Sequence, residues 1–123
     1  MRNPTLYLKD ILEAMEAIEK FVRGVDLETF KKDDMRSSAV IRKFEIIGEA
    51  TKNIPEDIKQ KYHQVPWKDM AGMRDRLIHF YFGVKYDLVW NAITTVIPRI
   101  KPLINKILED FGRLRRIDKN ENP

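Results

Sequence analysis

The sequence predicts an all-α fold, an antiparallel four-helix bundle with short extra helices. Three observations predict it. Apolar residues recur at three- and four-residue steps almost throughout, no alternating strand pattern or repeat interrupts them, and the connections between the stripes are short. With 123 residues the chain has room for one domain and a single modest core.

In the first helix Leu8, Ile11, Leu12, Met15, Ile18, Phe21 and Val22 make one buried stripe, with Asn3 or Thr5 as cap, Pro4 in the first turn and Gly24 as stop. Leu27 to Lys32 adds one turn. A second stripe, Met35, Val40, Ile41, Phe44, Ile47 and Ala50, starts near Asp33 or Asp34. Gly48 within it costs about 1 kcal/mol relative to alanine, which marks a close backbone approach. Pro55-Glu56-Asp57 reads as a first turn, proline leading and acids facing the positive dipole end, of a short helix to about Tyr62. Val65-Pro66-Trp67 opens the next helix, with Met70, Met73, Leu77, Ile78 and Tyr81 inward and Gly83 at its end. Asp87 then caps a long last helix carrying Leu88, Trp90, Ile93, Val96, Ile97, Ile100, Ile104, Ile107, Leu108 and Phe111. Pro98 and Pro102 should bend it, since each removes a backbone donor. The helical domain is placed at residues 1–112, and residues 113–123 read as a basic polar tail expected to fray.

Composition narrows the function. Hydrophobic residues at 43% and charged residues at 34% fit a soluble globular chain, and the net charge of +4 leans weakly toward polyanionic partners. Absence of cysteine excludes disulfides and thiolate metal sites and fits a reducing cytoplasm. Two histidines without a second ligand at helical spacing argue against structural zinc, and five scattered glycines make no phosphate loop. No apolar run is long enough to cross a membrane, and the first ten residues carry charge where a signal peptide needs its apolar region. A cytoplasmic domain without metal or cofactor is the expectation. Asp33-Asp34 and Glu56-Asp57 are read as capping acids, His63 as surface, and Trp67 and Trp90 as core.

The run Arg74-Asp75-Arg76-Leu77-Ile78-His79-Phe80-Tyr81 is where chemistry concentrates. Its spacing, R-x-x-x-x-H-x-Y, supplies a fixed cation, a group titrating near neutrality and a phenol, a set suited to phosphate esters. On a helix Asp75 and His79 share a face, and so do Arg74 and Tyr81, but Arg74 and His79 lie about 140° apart. One helix therefore aims them at one small target only if it breaks near His79, or if a second copy of the chain completes the site. Residue types alone leave open a plain alternative, solvated arginines with a packed histidine and a core tyrosine. Arg113, Arg115 and Arg116 are weaker candidates for a nucleic-acid backbone.

Met73 to Val84, followed by Tyr86-Asp87-Leu88-Val89-Trp90, resembles the HEPN superfamily and its HepT-like branch. Ala39 to Ala50 resembles that branch's second helix, and Pro66 to Gly72 the lead-in to its motif helix. The likeness spans roughly residues 5 to 110. It implies a homodimeric helical bundle in which two R-x-x-x-x-H-x-Y motifs face each other in a cleft, and a metal-independent endoribonuclease acting as a toxin on RNA. It implies an MntA-like nucleotidyltransferase antitoxin that silences the nuclease by AMP transfer to the tyrosine, here Tyr81. On that likeness Arg74 holds the scissile phosphate, His79 moves a proton, Asp75 orients His79, Tyr81 positions substrate and accepts AMP, and Arg76 adds a weaker RNA contact. Asp75 stands where the family often has asparagine or another polar residue. A competing expectation is a non-catalytic helical dimer that binds nucleotide or docks the nucleotidyltransferase.

Overall fold

The computed structural model describes residues 2–81 and 85–121, apart from the side chains at 74, 77–81 and 115–121. Every regular element among the described residues is helical. Helix α1, Pro4–Phe21, starts where Asn3 accepts the Thr5 amide at 2.9 Å, and Pro4 occupies a first-turn position that needs no donor. The chain leaves α1 through Gly24 at φ 74°, a left-handed conformation open to glycine at no steric cost. Asp26 caps α2, Leu27–Lys32, and Asp33 caps α3, Asp34–Lys52. Asp33 accepts the Arg36 amide at 3.0 Å and pairs with the Arg36 guanidinium at 2.9 Å, so the capping role expected of Asp33 holds. In α4, Glu56–Lys61, Pro55 is the N-cap and not the first helical residue, and Glu56 and Asp57 fill the acidic first turn.

Helix α5, Trp67–Tyr81, carries the motif. Then α6, Tyr86–Asn91, a π-helical segment, Ala92–Val96, and α7, Ile97–Glu121, follow one another without a gap. Lys85, not Asp87, is the N-cap of α6. Asp87 sits inside the first turn, where an acid still meets the helix dipole, and its carboxylate lies 3.6 Å from Lys31. The expected disturbance at Pro98 takes the form of the π segment just before it. A proline ring crowds the carbonyl four residues back, here Thr94, and a wider turn relieves that crowding. The Ile97 amide accordingly reaches back five residues to the Ala92 carbonyl, and the Thr94 hydroxyl donates to the Trp90 carbonyl at 2.9 Å. Pro102 lies within α7. The backbone of 113–121 continues α7.

Helix α3 packs between α1 and α5, and α1 also packs on α7. Lys101 near the start of α7 pairs with Glu19 near the end of α1 at 2.6 Å, while Thr5 and Lys9 face Leu108 and Phe111. Similarly, Tyr7 and Asp10 lie across from Ala50 and Asn53. Both α1–α3 and α1–α7 are thus antiparallel. Leu8, Ile11 and Ile18 meet Val40, Phe44 and Ile47, Met70, and Ile97, Ile100, Ile104 and Ile107 in one buried core.

Two expected core members point elsewhere. Met35 is 87% exposed, and at about 100° per residue it stands opposite Phe44 on α3, so the true stripe begins at the buried Ser37. Leu88 is 49% exposed. Trp67 is buried and donates its indole N–H to the Tyr62 carbonyl at 3.0 Å, and Trp90 is half-buried against Phe30. The Tyr62 hydroxyl donates to Asp110 at 2.8 Å, tying the end of α4 to α7. Burial, then that bond, pushes the Tyr62 phenol up to about 12, and the phenol together with Arg113 holds Asp110 below the usual carboxylate range.

Candidate active site

The motif sits on the second half of α5, whose backbone is helical without interruption from Trp67 to Tyr81. The lead-in explains why it starts there. Val65 and Trp67 are buried, Pro66 occupies the last position before the helix, and the Met70 amide bonds the Pro66 carbonyl at 3.0 Å. Met70 is buried and Met73 half-buried, as the inward stripe predicts; the stripe's other members, Leu77, Ile78 and Tyr81, have side chains outside the described residues. Gly83, the expected end of the helix, also lies outside them.

Because α5 does not break near His79, the first of the two routes to a convergent site is not taken by this backbone. Arg74 and His79 stand about 140° apart on the helix. The side chains of Arg74, His79 and Tyr81 lie outside the described residues, so their mutual distances do too. Asp75 is exposed. Arg76 is exposed as well, and its guanidinium folds back along α5 to donate to the Asp69 carbonyl at 2.6 Å, 4.0 Å from the Asp69 carboxylate. A Cβ at Gly72 would stand 3.7 Å from the Arg76 nitrogen, an ordinary contact, so this path does not require glycine there.

Arg113 is exposed and pairs with Asp110, well along α7 from the motif helix. Arg115 and Arg116 continue that helix, and their side chains lie outside the described residues. His63 is exposed in the connection before α5, as expected. Among the described residues no group of three acids or histidines is arranged to hold a metal ion, and no helix is long and apolar enough to cross a membrane.

One residue that sequence reasoning passed over belongs beside the motif helix. A groove of about 270 Å³ runs between α5 and the α6–π–α7 rod, lined by Phe44, Met70, Met73 and Val96 together with Arg76 and Arg99. Arg99 is exposed. Its only sequence signal is a basic residue between Pro98 and the buried Ile100, which reads equally well as a solvated charge.

Comparison with known proteins identifies the family. Residues 11–107 match the family profile described as ribonuclease HepT-like, a span that contains Arg74, Asp75, His79 and Tyr81. A Thermococcus cleftensis protein named as a probable ribonuclease HepT is 48% identical over 101 residues, 82% of this chain and 92% of that protein. A Caldanaerobacter subterraneus protein named as a candidate RNase is 44% identical over 109 residues, 89% of this chain and 97% of that one. A Methanocaldococcus jannaschii protein named as a gamma-glutamylcyclotransferase and candidate RNase is 43% identical over 121 residues, 98% of this chain but 52% of its own length. No solved structure gives a significant match. The chain belongs to the HepT-like ribonuclease family.

Proposed function

We propose that this chain is a metal-independent endoribonuclease, the toxin of a toxin–antitoxin pair, working as a homodimer. The observation that carries the reading is a HepT-like family match that spans the whole R-x-x-x-x-H-x-Y motif, set on one uninterrupted helix. An unbroken helix keeps Arg74 and His79 on different faces, which supports a site built from two copies, each lending groups the other's helix cannot aim.

Chemistry without metal is open to these residue types. The RNA 2′-oxygen attacks the adjacent phosphorus, the bond from phosphorus to the 5′-oxygen breaks, and a 2′,3′-cyclic phosphate and a 5′-hydroxyl result. His79, with a reference pKa near 6.5, takes the proton from the 2′-hydroxyl or returns one to the leaving 5′-oxygen. Arg74 offers a planar fork of donors to the oxygens on which charge develops. Asp75, four residues before His79 and exposed, is placed to orient the imidazole.

Tyr81 is the proposed control point. Its phenol oxygen attacks the α-phosphorus of ATP on an MntA-like nucleotidyltransferase, pyrophosphate leaves, and AMP stays on the ring. Bulk and negative charge then occupy the place where an RNA phosphate must bind. Intact-mass measurement on chain co-expressed with its partner transferase tests this step. The expected result is mass added in AMP steps, located to Tyr81 by fragmentation and absent from Tyr81→Phe. An unmodified chain beside a transferase active on ATP would overturn the modification and favour a nuclease neutralised by binding alone.

A further inference from the structure

The groove between α5 and the α6–π–α7 rod combines features that the motif does not use. Its volume, about 270 Å³, lies just under the roughly 300 Å³ at which small-ligand pockets begin, room for one flat ring and too little for a partner helix. Phe44, Met70, Met73 and Val96 give it an apolar lining, and methionines adapt readily to a planar aromatic surface. Two arginines line it from different helices, Arg76 from α5 and Arg99 from α7. Arg76 spends one donor on the Asp69 carbonyl and keeps a side chain that is 55% exposed. Arg99 has no carboxylate partner among the described residues. Among the described lining residues Asp69 is the only acid and stands 4.0 Å from Arg76, so they carry a net positive charge.

The setting also matches an RNA-handling role. Val96 belongs to the π segment, a helix irregularity that recurs at functional sites. His79 follows Arg76 by three residues, which places its helix position about 60° around and about 4.5 Å further along α5. A nucleotide held here would adjoin the one being cut.

We propose that this groove is a substrate subsite that takes a single RNA base against the half-buried Met73 and Val96, with its flanking phosphate held by Arg76 and Arg99. The proposal rests on the ribonuclease reading and adds to it a determinant of affinity and base preference outside the motif. The apolar walls favour any stacked base, and the arginines fix the strand by its backbone.

Two variants in a His79→Ala background, which leaves the RNA uncut, separate the two contributions. Fluorescence anisotropy with a labelled ten-nucleotide RNA is read at several salt concentrations. Arg99→Glu is expected to weaken binding about tenfold or more and to flatten the dependence of log affinity on log salt by about one. Val96→Trp, which fills the groove, is expected to weaken binding by a similar factor with the salt slope unchanged. Arg99 is exposed, so that variant reads the subsite even if Val96→Trp disturbs folding. Unchanged affinity and slope in Arg99→Glu, with the parent chain binding RNA normally, would overturn the subsite and leave the ribonuclease reading intact. A parent chain that binds no RNA, with a wild type that cleaves none, would overturn both. A variant that alters the oligomeric state but not RNA affinity would assign the groove to contact between copies and overturn the subsite.

Discussion

Replacing His79 with alanine is expected to slow RNA cleavage by about 10²–10⁴-fold, the usual worth of a positioned general acid or base, and to abolish growth inhibition in cells. The fold should survive. Position 79 lies in the last turn of α5, whereas α5's described core contacts, Trp67, Met70 and Met73, all lie earlier along the helix. Gel assays of a defined RNA with wild-type and variant chains, alongside their thermal melts, give the readout. Equal cleavage by the two proteins would remove the catalytic role of the motif and leave a helical dimer that docks a nucleotidyltransferase as the better account. A variant that loses both cleavage and its cooperative melt would instead mark His79 as structural.

Phe30→Ala is expected to be the most damaging change remote from the motif, costing about 3–5 kcal/mol. Phe30 is fully buried although α2 is only six residues long. Its ring meets Tyr86 edge-on at 6.1 Å and Trp90 at 5.3 Å, so one side chain fastens α2 to the start of the α6–π–α7 rod. Alanine there leaves a cavity lined by two aromatic rings on a helix too short to hold together by itself. Equilibrium denaturant unfolding measures the loss. A cost under about 1 kcal/mol would mean that α2 and α6 collapse into the gap and that this end of the bundle is plastic. Phe30 was not among the residues singled out in the sequence, because a lone phenylalanine in a six-residue segment shows no helical period.

The helices themselves were legible for a simple reason. Stripes such as Leu8–Ile11–Met15–Ile18 and Ile97–Ile100–Ile104–Ile107 repeat often enough to fix a buried face, and the capping acid Asp33 stands where backbone donors need partners. Single residues at helix ends were harder. Met35 looked like stripe and is outward, because at the first turn one apolar residue cannot define a face. Asp87 looked like a cap and sits in the first turn, because the dipole favours an acid at either position. The π segment carries no periodic signature of its own; Pro98 showed that something must give without showing how.

The site divides in the same way. R-x-x-x-x-H-x-Y stood out by its residue types, but those alone left a packed histidine and a core tyrosine equally open, and it was the resemblance of the flanking segments to the HepT-like branch that weighed toward chemistry. The sequence also showed that one straight helix cannot converge them, and the continuous α5 keeps that constraint in force. Arg99 was not visible, since its relation to Arg76 exists only once α7 lies beside α5. Tertiary neighbours of this kind leave no mark on local spacing.

The most direct test of the central claim is the chemistry of the cut ends. Purified wild-type chain is incubated with a defined RNA in excess EDTA, and the products are weighed by mass spectrometry. The account predicts cleavage undiminished by the chelator, with a 2′,3′-cyclic phosphate on one fragment and a 5′-hydroxyl on the other. Cleavage that stops in EDTA, or that leaves a 3′-hydroxyl and a 5′-phosphate, would contradict it, because neither His79 nor Arg74 acting on a 2′-oxygen attack can produce those ends.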